Sequence, residues 1–118
     1  MMHAMTWNDL PSIHAVERVD PSDEACLEAV REVIALHGKT RRFGVTLLHQ
    51  HFPLGDDELL VEHCDVERRT LVTAPMKGSE VIARRYIPTV WRFDGPRANV
   101  CAYCPVHGNQ HDGYKEPH

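Results

Sequence analysis

No stretch of this 118-residue chain approaches the roughly 18 consecutive apolar residues of a helical membrane span, so none is expected. The opening residues, MMHAMTWNDLPSIH, lack the cationic segment and apolar run of a secretory leader, and the expectation is a cytoplasmic protein with no membrane partner. Basic residues are not in excess: a formal charge of -4 gives no general attraction to nucleic acid, which is not expected as a partner either. Internal repeats and low-complexity segments are missing, and so is the strand-helix alternation of a doubly wound parallel sheet. A chain of this length carries one hydrophobic core, so residues 1–118 read as a single domain. Within it, 1–19 form an N-terminal arm, 20–94 a helix plus sheet, and 95–118 a Cys/His-rich metal-binding tail.

What the chain does hold is nine histidines and four cysteines, Cys26, Cys64, Cys101 and Cys104. In a reducing compartment these cysteines read as thiols or metal ligands, although an even count leaves disulfides open. Asp20-Pro21-Ser22-Asp23-Glu24 is a helix start, with a capping side chain, proline in the first turn and acids at the positive end of the dipole. The helix is expected over 21–37, ended by Gly38, with Cys26, Leu27, Val30, Val33, Ile34 and His37 on one stripe, which makes Cys26 a core residue. "FGVTLLHQHF" predicts a strand over 43–52, and "ELLVEHC" and "RRTLVTA" an antiparallel hairpin with strands near 58–64 and 69–74. Pro88 limits 87–93 to an edge strand, the segment before it reads equally as helix or strand, and Trp91 and Phe93 read as core or pocket wall. The fold class that follows is α+β: one N-terminal helix packed on a mostly antiparallel curled sheet or small open β-barrel.

"CAYCPVHGNQH", residues 101–111, supplies Cys101, Cys104, His107 and His111, a complete Cys2His2 set for zinc. Its Cys104-Pro105-Val106-His107-Gly108 resembles the knuckle turn of zinc-ribbon proteins, with His107 in place of the second cysteine. Four ligands from eleven residues are crowded, so a compromise uses Cys101, Cys104 and one tail histidine, with His49, His51 or water in the fourth position. Two other readings stay open: a CxxC redox pair, and a polar extension whose cysteines are inert.

His49-Gln50-His51 puts two imidazoles on one face of an extended segment, an arrangement that suits iron, manganese, nickel or zinc. With Gly44 before it and Glu58 after it, this stretch is similar to the first cupin motif, although both flanking residues are off the usual spacing and no second motif follows. The resemblance implies His49, His51 and Glu58 as ligands. Half-buried histidines bonded to the backbone are the alternative reading. His63 and Cys64, being adjacent in a strand, point to opposite faces and form no dyad. Three arginine pairs, at 41–42, 68–69 and 84–85, offer Arg42, Arg69 and Arg85 to a small anionic ligand, or else mark solvated strand ends. The FGVTLLHQHF stretch is also similar to a group of small uncharacterised proteins, a resemblance that implies no activity.

The leading expectation is a small cytosolic zinc-binding protein using the C-terminal cluster. The alternatives are a cupin-like metalloenzyme with its ion on His49 and His51 and an anionic small-molecule substrate, and a metal-free interaction domain. No nucleophile-base-orienter set can be assembled from the sequence, so no reaction is assigned and enzymatic activity is left open, as is homodimerisation.

Overall fold

The computed structural model describes residues 3–105. Two compact units divide the chain, one formed by Leu10–His51 and the other by the segments on either side of it. The described part is α+β, with one main helix, one short helix and an open, mixed, five-stranded sheet.

In the Leu10–His51 unit, helix α1 spans Pro21–Leu36 and begins where the cap chemistry dictates. The Asp20 carboxylate accepts the Asp23 N–H at 2.8 Å while the Asp23 carboxylate accepts the Asp20 N–H at 3.0 Å, a reciprocal capping box. Gly38, at φ +69°, ends the helix in the left-handed region, and the N–H groups of Gly38 and Lys39 reach back to Ala35 and Ile34 at 2.9 and 3.0 Å. Half-burial on this helix is confined to Val30 and Ile34 and does not extend to the first turn, so Cys26, expected in the core, is exposed.

The expected strand over 43–52 is not formed. Lys39 to Phe43 close a helical turn, the Phe43 N–H reaching the Lys39 carbonyl at 3.1 Å, and only Gln50 pairs in β fashion, in an isolated parallel bridge to Ser12. A β-branched, aromatic segment becomes a strand only against a partner edge, and here the partner is the Pro11-Ser12-Ile13 stretch, which offers a single bridge.

The second unit carries the sheet. Strands β2 (Glu58–Asp65) and β3 (Thr70–Lys77) form the expected hairpin in unbroken register from Glu58 opposite Lys77 to Asp65 opposite Thr70. Arg69, at φ +55°, turns the corner, and the Asp65 carboxylate accepts the Arg68 N–H at 3.1 Å. Helix α2 (Gly78–Ala83) follows and delivers Val81 to the core. β4 (Ile87–Asp94) then pairs antiparallel with β5 (Arg97–Cys104), the central strand. On its other edge β5 pairs parallel first with β1 (His3–Ala4), at Asn99 and Val100, and then with β2, at Tyr103. The expected tail thus begins with the middle of the sheet, Asn99 to Tyr103 being buried without a break.

Leu59, Val61, Val81, Val100 and Tyr103 make the core, with Met76, Tyr86 and Trp91 packed against them. Burying side chains of this size contributes roughly 1.5–3 kcal/mol each. Phe93, expected as core or pocket wall, is 81% exposed because it sits at the end of β4, close to the Gly95-Pro96 turn and past the end of that cluster. Residues 5–9 are stitched to the sheet by side chains. The Asn8 amide exchanges two hydrogen bonds with the Leu54 backbone at 2.8 and 2.9 Å, the Trp7 indole donates to the Cys101 carbonyl, and Asp9 forms a bidentate pair with Arg92 at 2.7 and 3.0 Å. No described helix is long and apolar enough to cross a membrane.

Candidate functional site

The two cysteines of the CAYC stretch occupy different surroundings. Pairing between β4 and β5 slips around Thr89 and again at Cys101, so Cys101 has no cross-strand partner in the ladder. Its side chain is 1% exposed, with Sγ 3.6 Å from the Val90 carbonyl oxygen. Burial pushes this thiol up to about 11, against a smaller downward pull from the Arg92 guanidinium. A proton held this firmly marks a packed, unreactive cysteine.

Cys104 ends β5, half-buried, on the face away from the core to which its neighbour Tyr103 belongs. Its Sγ lies 3.5 Å from Glu62 Oε1 and 3.7 Å from Thr89 Oγ1. The parallel register that sets Tyr103 beside Val61 is what brings Glu62 to Cys104, and Cys64, two residues further along β2, shares that face. Burial raises the Cys104 thiol first; its hydrogen bond with Thr89 opposes this, and the neighbouring Glu62 carboxylate, by charge and by hydrogen bond, adds to it. A carboxylate and two thiols around one sheet end are a donor set that a soft divalent cation accepts. Among the described residues, no three His, Cys, Asp or Glu side chains gather closely enough to hold an ion as they stand. His107 and His111 lie outside the described residues.

His49 and His51 sit in the Leu10–His51 unit, their rings edge to face with centroids 5.0 Å apart. His49 Nδ1 lies 2.6 Å from the Leu47 carbonyl oxygen, a contact in which Nδ1 carries the proton and donates, so that Nε2 is the nitrogen that faces a metal. This is the second-sphere arrangement that orients a metal-binding imidazole. Glu58, the third member of the cupin-like set, belongs to the other unit and accepts the Gly55 N–H at 2.8 Å. The arginines each have a local account. The Arg42 guanidinium stacks 5.6 Å over the Phe43 ring, while Arg69 and Arg85, at φ +55° and +57°, hold turns at the end of β2 and after α2.

Sequence reasoning missed Glu62 and Thr89, the neighbours of Cys104. Only the pairings of β5 with β2 and β4 find them, and those join residues 42 and 15 positions apart. Comparison with protein families, with curated proteins and with solved structures finds no match for this chain.

Proposed function

We propose that the chain binds a transition-metal ion, zinc foremost, with Cys104 as the anchoring ligand and with His107 and His111 following it in the CPVHGNQH sequence. The observation that carries this reading is the placement of the Cys104 thiol at the end of the central strand, 3.5 Å from the Glu62 carboxylate and on the same face as Cys64. All four cysteines are free, so no disulfide competes with a metal ion for the Cys104 sulfur. Cys101 in this reading is a packing residue that fixes the strand. Binding displaces the Cys104 proton, so affinity falls as pH falls and the thiol and imidazoles hold their protons. Untagged protein analysed by elemental mass spectrometry should carry close to one equivalent of zinc, lost in Cys104→Ser and kept in Cys101→Ala. Less than about 0.2 equivalents of any transition metal, with no effect of chelator on thermal stability, would overturn the reading and leave a metal-free interaction domain.

A second reading rests on the 5.0 Å separation of the His49 and His51 rings and the free His49 Nε2. Here iron, manganese, nickel or zinc sits on the histidine pair, and the substrate is an anionic small molecule. Loss of metal in His49→Ala and His51→Ala, with full retention in Cys104→Ser, would favour this reading over the first.

A further inference from the structure

β2 and β5 are joined by a single pair, Val61 with Tyr103, whereas β2–β3 and β4–β5 are paired along most of their length. That one pair sets Glu62 opposite Cys104, and Glu62 Oε1 and Cys104 Sγ come to 3.5 Å. A tetrahedral zinc ion with sulfur at about 2.3 Å and a carboxylate oxygen at about 2.0–2.2 Å holds the two ligand atoms about 3.5–3.7 Å apart, the edge of the tetrahedron. The observed gap is already that of a chelating pair. In the hydrogen bond the Cys104 thiol proton spans it, and binding a divalent ion displaces that proton while leaving both donors in place. Thr89 Oγ1, 3.7 Å from the same sulfur on the β4 side, is placed to donate to the thiolate that forms, an outer contact that orients a ligand. Cys64 shares the face but stands two residues on, about 6.6 Å along the strand. It is exposed, and its sulfur is offset from the position that Cys104 and Glu62 define.

Resting on the reading of Cys104 as the anchoring ligand, we propose that the bound ion takes the Glu62 carboxylate as a second ligand and staples β2 to β5, with Cys64 outside the ligand set. One sulfur beside a carboxylate suits zinc, cobalt(II) or iron(II) over copper(I), which sulfur-rich sites select. The ion also gains a structural task. A ligand from each strand crosses the seam that one backbone pair closes, so metal binding ties the β2–β3 hairpin to the central strand.

X-ray absorption at the zinc edge of the full chain, loaded with about one equivalent of zinc, reads the ligands without any variant. The expected fit has one sulfur at about 2.3 Å and the remaining neighbours at about 2.0–2.2 Å, and two or more sulfurs would overturn the proposal. Zinc titration against a competing chelator then separates the carboxylate from the second thiol. Glu62→Gln, which keeps the shape of the side chain, should weaken zinc binding at least about tenfold, and Cys64→Ser less than about twofold. Undiminished affinity in Glu62→Gln, or a tenfold loss in Cys64→Ser, would overturn the proposal while the Cys104 reading stands, provided that Cys104→Ser abolishes binding. An unaltered chain that binds no zinc, or a Cys104→Ser chain that binds it as well, would overturn both. Hydrogen exchange tests the staple itself. Zinc should raise protection of the amides in 60–62 and 102–104 of the unaltered chain and leave those of Glu62→Gln unchanged, and equal exchange with and without zinc in the unaltered chain would overturn it.

Discussion

The two compact units are built from similar apolar residues and hold themselves together by different means. Every fully buried side chain among the described residues belongs to the unit with the sheet, whereas Leu10–His51 has none. In the sheet unit, strands far apart in the chain bring Leu59, Val61, Val100 and Tyr103 into one cluster. In Leu10–His51, order comes from caps, turns and the single bridge of Ser12 to Gln50, around a helix of 16 residues. An isolated helix needs about 12–15 residues to be even marginally stable in water, so α1 stands close to that limit. Long-range backbone pairing, more than hydrophobic content, separates a core from a partly covered stripe.

The sharpest way to break this comparison is to cut the same kind of atom from both units. Val61→Ala, at a site with 0% exposure, should lower unfolding free energy by about 2–3 kcal/mol in a urea titration. Leu36→Ala, at 86% exposure, should change it by less than about 0.5 kcal/mol. Equal losses would erase the distinction.

A smaller effect comes from Cys101. Its folded-state pKa, about 11, lies above the ordinary thiol value, so the unfolded chain releases this proton first as pH rises. Stability is therefore expected to fall between the ordinary thiol value and about 11, and Cys101→Ala should flatten that part of a pH–stability curve. An unchanged alkaline slope in the variant would mean that the buried thiol is not its source.

Smaller again is the pair that ties residue 9 to β4. The Arg92 guanidinium holds the Asp9 carboxyl below its ordinary value, a contribution present at neutral pH and lost as pH falls through the folded-state value. Since Asp9 is 64% exposed, Asp9→Asn should cost no more than about 1 kcal/mol at pH 7 after screening, and the difference should vanish in acid. The least effect on global stability is expected from Asp20→Ala. Removing the capping side chain should reduce helical circular dichroism at low denaturant while leaving the main unfolding transition in place, since the core lies in the other unit.

Local chemistry was legible in the sequence. The Asp20 cap, the Pro21 start and Gly38 placed α1 within a residue of its ends, and the spacing of "ELLVEHC" and "RRTLVTA" about a short polar turn found the β2–β3 hairpin. Pairing was not legible. "FGVTLLHQHF" has strand composition without an edge to join, while "RANVCAYC" becomes the central strand because three others meet it. A strand buried on both sides loses the alternation that betrays a half-exposed one, and its two cysteines drew attention as ligands. The same blindness hid the surroundings of Cys104. The sequence pointed to that residue, and only the β2–β5 register adds Glu62 and Cys64 to it.

The central position of β5 also bears on the chain's birth. During synthesis the β2–β3 hairpin leaves the ribosome with its neighbours unmade, and His3 and Ala4 wait until Asn99 and Val100 have been added. From the completion of β2 at Asp65 until Tyr103 has been added, the inner edge of β2 is therefore uncovered, and the sheet is joined only when its middle strand is inserted.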